Sequence, residues 1–153
     1  MSAVRFVFPK PRLAKLLKLP GGVPVAEALE RAQANLDTIR PTCLAEMEDL
    51  AGQAEARLQA MGEAHDDAGM ADLYAIAVRG IGGGEVCRLP AVDVALTSLC
   101  DLLDHLRTAR RYDRAAIAVH VQAWRMLLTM TDGANAEALV DGLKQVSGRY
   151  ATA

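Results

Sequence analysis

From Val25 onward an apolar or small residue recurs every three or four positions: Leu29, Ala32, Leu36, Ile39, Cys43, Met47, Leu50, Ala54, Leu58 and Met61. The mean step is about 3.6 residues, the period of an α-helix with one apolar face. Pro24 suits a first helical turn, where its missing N–H is not needed, and Gly62 suits an end. Pro41 interrupts the run without changing its phase, so the pattern predicts one long helix kinked there or two coaxial helices.

Four shorter helices are predicted beyond an acidic loop at 62–67. Met70 to about Gly82 resumes the spacing through Leu73, Ile76 and Ala77. Pro90 to Arg110 gathers Val92, Leu96, Leu99, Leu103 and Leu106 on one face, with Asp93, Asp101, Asp104 and Arg107 elsewhere. Asp113 is placed to cap Arg114 to Met130, and Asn135 to cap a last helix through Leu139, Leu143 and Val146. Five helices on short connections imply an all-α fold, an antiparallel helical bundle.

Residues 1–24 read differently. They hold four prolines, Gly21 and Gly22, and five basic residues (Arg5, Lys10, Arg12, Lys15, Lys18) with no acid. This predicts a basic, mostly irregular arm ahead of a single helical domain over 25–153. Within the arm, Leu13, Leu16 and Leu17 fit one amphipathic turn that could dock on the domain or on a partner.

Composition supports helix over sheet: of 153 residues 52% are apolar, largely alanine and leucine, and only 4% are aromatic. A net charge of −2 lacks the basic footprint of a nucleic-acid binder. Cys43, Cys87 and Cys100 contain no CxxC pair and are expected as reduced, mostly buried thiols, with no metal site and no cofactor. The chain offers no apolar stretch suited to a signal peptide or a membrane span, so a cytoplasmic protein is expected.

Candidate chemistry is sparse. His65 lies beside Asp66 and Asp67 in a loop, and His105 follows Asp101 by four residues, the spacing of a surface ion pair. A helical wheel turns His120 toward the core, opposite Ala118, Gln122, Arg125 and Thr129, which suggests a hydrogen-bonded structural histidine. Arg107, Arg110, Arg111 and Arg114 crowd one helix–helix turn as a basic corner, able to meet an acidic surface or simply to complement a helix C-terminus. The run Arg79-Gly80-Ile81-Gly82-Gly83-Gly84-Glu85 costs helix propensity at every glycine. It reads as a helix end followed by a loop, or as bare backbone where another surface approaches, or more weakly as an anion cradle.

The segment from Leu73 to Asp104 resembles the histidine phosphotransfer (Hpt) domain, a helical bundle that relays phosphate between sensor kinases and receiver domains. The likeness lies in Ala77-Val78-Arg79-Gly80-Ile81-Gly82, followed by Leu89-Pro90-Ala91-Val92. The family reads alanine, the phosphorylated histidine, two residues, a lysine and a glycine. Here Val78 stands at the histidine and Ile81 at the lysine, while Ala77 and Gly82 agree. With Leu73, Ile76, Ala77 and Gly80 turned inward, a wheel leaves Ala75, Val78, Arg79 and Gly82 outward, with Gly83 next to them. The resemblance makes this strip the docking surface for a response-regulator receiver domain or a signalling kinase, and the missing histidine implies a non-catalytic adaptor.

The basic arm, the long helix, Leu99-Cys100-Asp101-Leu102 and His120-Val121-Gln122-Ala123 also resemble small CheE-type accessory proteins of bacterial chemotaxis. An active phosphotransfer protein using another histidine, or a small-ligand-binding bundle, are the alternatives. Association with a second copy through the long helix is open.

Overall fold

Aspartates start two of the helices. Asp66 accepts the Gly69 N–H at 2.8 Å, and Asp113 accepts the Ala116 N–H at 2.9 Å, each satisfying a donor that the first helical turn leaves free. Pro90 starts a third at its first positions. In the computed structural model, which describes residues 21–130 and 133–151, the helices are α1 (Val25–Ala60), α2 (Asp67–Gly80), α3 (Gly83–Cys87), α4 (Pro90–Thr108), α5 (Arg114–Thr129) and α6 (Gly133–Gly148). The protein is an all-α helical bundle, with no strand among the described residues.

Three sequence expectations change. Among the described residues the bundle has a sixth helix, because Gly83–Cys87 forms its own short turn of helix. The helix expected to reach Gly82 stops at Gly80. Asn135 does not cap the last helix; it lies inside α6, which begins at Gly133. α1 runs through Pro41 as one helix, the first of the two expected forms.

Contacts divide the chain between Asn35 and Leu36. In the first unit the described residues include the start of α1, where Arg31 pairs with Glu27 one turn earlier. Most of the basic arm, including Leu13, Leu16, Leu17 and its five cations, lies outside the described residues.

In the second unit α4 is the central helix. It packs against α2, α3, α5 and α6. Val92, Leu96, Leu99, Leu103 and Leu106 are all buried as the spacing requires, and Ala95, Leu102 and Cys100 are buried as well. A helix enclosed on most of its circumference has core on several sides. Trp124 and Ile117 of α5, Leu73 and Met70 of α2, and Met47 and Leu50 of α1 complete the same core.

Polar ties lock α1 to its neighbours in this unit. Arg40 Nε donates to the Val86 carbonyl at 3.1 Å, Arg57 Nε to Asp72 at 3.0 Å, and Arg125 Nη1 to the Glu48 carbonyl at 3.3 Å. The apolar run of α1 is buried only along its second half. Met47, Leu50, Ala51, Ala54 and Leu58 are in the core, whereas Leu29, Leu36 and Ile39 are exposed.

Candidate functional site

The glycine run is organised from α4. Ile81 leaves α2 in an extended conformation, and Gly82 then turns the chain with φ of +93°, a region that L-residues with a Cβ rarely enter. Asp93 reaches back across this turn from the first turn of α4. Its carboxylate accepts N–H bonds from Gly82 at 2.8 Å, Gly84 at 3.1 Å and Glu85 at 2.9 Å. The approach needs bare backbone at Gly84, where an added Cβ would lie 2.7 Å from the Leu89 carbonyl oxygen and 2.8 Å from Asp93 Oδ2.

The loop is therefore an anion cradle, and the anion is a carboxylate of the chain itself. Sequence reasoning missed Asp93. The signal was an acid three residues after a helix-starting proline, beside a backbone stripped of side chains.

The strip expected around this segment is brought together in part. Ala75, Val78 and Arg79 are exposed on α2, and Arg79 Nη2 pairs with Glu46 of α1 at 3.2 Å. Gly82 is exposed but lies off the helix, so it extends the strip as a turn and not as a helical position. Gly83 does not belong to it. An added Cβ there would sit 2.5 Å from Met47 Sδ, because this residue faces α1. Val78 and Ile81, the positions matching the family's histidine and lysine, are each 45% exposed.

The histidines stand apart from this face. His120 is fully buried, with Nδ1 2.9 Å from the Ala116 carbonyl and Nε2 3.1 Å from Ser98 Oγ. Ser98 Oγ in turn lies 3.2 Å from Ser147 Oγ, joining α4, α5 and α6 by one polar chain. Burial holds the imidazole below its ordinary pKa, against the hydrogen bond to Ala116. His105 makes no ion pair with Asp101, and its Nδ1 is buried without a hydrogen-bond partner. His65 is exposed and stands edge-on to the Tyr112 ring.

The arginine corner is mostly occupied from within. Arg107 pairs with Asp67 at 3.0 Å, and Arg111 stacks over the Tyr150 ring at 5.3 Å. Arg114 donates to the carbonyls of Met61 and Leu58 at 3.2 and 3.3 Å. Arg110 adopts φ of +50° and closes α4, its N–H reaching the Arg107 carbonyl while the Arg111 N–H reaches that of Leu106. That is a Schellman helix end, built here on an arginine.

Cys87 and Cys100 are buried thiols whose pKa is pushed up to about 11, in both cases chiefly by burial. They are protonated and unreactive near neutral pH. Among the described residues no group of His, Cys, Asp and Glu is arranged to hold a metal ion, and no helix is long and apolar enough to cross a membrane.

One further concavity lies between the start of α4, the end of α5 and α6. It encloses about 740 Å³ over Leu89, Val94, Leu127 and Val140, with the Lys144–Asp141 pair at its rim. No known protein family, curated protein or solved structure is matched by this chain.

Proposed function

We propose that this chain is a non-catalytic, Hpt-like adaptor of bacterial two-component or chemotaxis signalling, acting in the cytoplasm and binding a receiver domain or signalling kinase through the outer face of α2. The observation that carries this reading is Val78. It stands where the resembling family has its phosphorylated histidine, and it is 45% exposed between Ala75 and Arg79, with Ile81 equally exposed one turn on. An aliphatic side chain there keeps apolar contact area for a partner and supplies no nitrogen to phosphorylate. Phosphotransfer through His120 is disfavoured by its complete burial.

The test uses purified receiver domains and kinases from the native cell. Val78→Asp is expected to weaken binding by at least about tenfold, since a carboxylate at the centre of an apolar contact is desolvated without a partner. The melting temperature should stay unchanged, because the side chain is exposed. Full-strength binding by the folded variant removes the α2 face. Transfer of labelled phosphate from a receiver onto the chain removes the non-catalytic reading.

The second reading, a small-ligand-binding bundle, draws support from the apolar concavity between α4, α5 and α6, whose size falls within the range of small-molecule pockets. An apolar fluorophore that brightens with the chain and is quenched by Val94→Trp would favour it.

A further inference from the structure

Two thiols far apart in the chain meet where α1 passes α3. Asp37 pairs with Arg88 at 3.2 Å, Arg40 Nε donates to the Val86 carbonyl at 3.1 Å, and Met47 packs on Gly83. Rising positions on α1 thus match falling positions on α3, and Cys43 lies inside that run of contacts. Its Sγ is 3.6 Å from the Gly83 carbonyl oxygen. In an α-helix a carbonyl points toward the residue four further on, which here is Cys87. The Cys43 sulfur is therefore held at the end of the turn that carries the Cys87 thiol. The titration of Cys87 agrees, its pKa being raised first by burial and then by a hydrogen bond to Cys43 and by the charge of Cys43. Both cysteines are free thiols, but they differ in access: Cys43 is half-buried, and Cys87 is 8% exposed.

We propose that Cys43 and Cys87 form a reversible disulfide when the protein meets a peroxide, with Cys43 as the attacking thiol and Cys87 as the resolving one. The Cys43 thiolate attacks one peroxide oxygen and the O–O bond breaks, giving a sulfenic acid on Cys43 and one water. Cys87 then attacks the Cys43 sulfur, its proton leaves with the departing hydroxyl as a second water, and the S–S bond closes. The two thiols give up two electrons, and one hydrogen peroxide is reduced to two waters. A small dithiol reverses the step by exchange, releasing both thiols and becoming a disulfide itself.

The low reactivity of Cys87 toward outside reagents is no obstacle, because the fold holds it beside the electrophile and makes the second step intramolecular. The bond needs the sulfurs about 2.05 Å apart. α3 is the side that gives, being a single turn between two left-handed residues, Gly82 and Arg88. Once closed, the bond staples α1 to the turn that follows the glycine run. It uses α1 and α3 alone, so it does not depend on the adaptor reading.

The test treats the reduced full chain with a small excess of hydrogen peroxide, removes the excess with catalase, alkylates the remaining thiols in urea and maps the peptides by mass spectrometry. The expected product joins the Cys43 and Cys87 peptides of one chain, two hydrogens lighter than the reduced pair, with Cys100 of α4 alkylated. Its melting temperature should exceed that of the reduced protein by roughly 5–10 °C, since the bond closes a long loop in the unfolded chain. Dithiothreitol should restore both thiols and the original temperature. Cys87→Ser should leave the Cys43 sulfenic acid standing, where dimedone traps it. Full alkylation of both cysteines after peroxide overturns the proposal, as does a bond that joins two chains or passage of wild-type Cys43 to the sulfinic acid. A lower melting temperature for the cross-linked chain also counts against it, because the bond would then form only by distorting the fold. A folded Cys87→Ser protein that yields no dimedone adduct removes Cys43 as the attacking thiol, and the proposal with it.

Discussion

His120 shows how one side chain's protonation is fixed by its partners. A carbonyl only accepts, so Nδ1 carries the hydrogen toward Ala116, which leaves the bare Nε2 facing Ser98 Oγ, whose single hydrogen is shared between this nitrogen and Ser147 Oγ. The neutral ring satisfies the bond to Ala116. In the unfolded chain the imidazole takes up a proton near its ordinary value of 6.5, while in the fold its pKa lies lower. The unfolded state then binds more protons below about pH 6.5, so this residue's contribution to stability is full above that pH and is lost as pH falls toward the folded value. His120→Gln should cost about 1–3 kcal/mol at pH 7.5 through imperfect replacement of the buried bonds. Its melting temperature should fall less steeply than the wild type's between pH 7 and 5.5, with α2 binding unchanged in the folded fraction. Equal slopes for the two proteins would show that another group carries the pH dependence.

At the scale of the element, the helices end where local chemistry ends them, and the glycines separate into two kinds. Gly84 is enclosed by the Leu89 carbonyl and the Asp93 carboxylate, neither of which can yield without losing a hydrogen bond. Gly142 lies exposed within α6 with nothing within 4 Å of an added Cβ. Gly84→Ala should therefore destabilise by about 1–3 kcal/mol, and Gly142→Ala should stabilise by about 0.4–1 kcal/mol through helix propensity and a stiffer unfolded chain. Urea unfolding of the two variants checks the pair, and a common sign would contradict the assignment. Helix starts were legible in the sequence where a side chain makes the cap, as at Asp113. They were not legible at α3, whose cap residue is Gly82 and whose free N–H groups are met by a carboxylate from another helix. Asn135 had the right chemistry for a cap, but α6 begins two residues earlier and leaves it inside.

At the scale of the whole molecule, the all-α bundle and the burial of α4 followed from periodicity, because a 3.6-residue pattern fixes which face must leave water. Which half of α1 would be covered did not follow, since the wheel ranks faces and not neighbours. The α2 strip was legible at Ala75, Val78 and Arg79, which lie on one helix, and failed at Gly83, whose direction is set by Met47 from a distant part of the chain. In the arginine corner, what engages Arg107, Arg111 and Arg114 was not legible for the same reason: Asp67, Tyr150 and the Leu58 and Met61 carbonyls reach them across the tertiary structure.

The Asp93 cradle has a kinetic consequence for the molecule. Its three bonds span only eight to eleven residues of sequence, and loops of that length close in about 10–100 ns, far faster than distant helices meet. A contact so local can be in place at the folding barrier, where it would align the end of α2 with the start of α4 before the rest of the bundle assembles around them. Asp93→Asn puts a donor among three N–H groups. In stopped-flow refolding it should slow the folding arm with little change in the unfolding arm, a φ-value above about 0.5. The reverse pattern would place the cradle after the barrier, as a latch on a bundle already assembled. On the first outcome the glycines between α2 and α4, which weaken the finished helices, serve to hasten their formation.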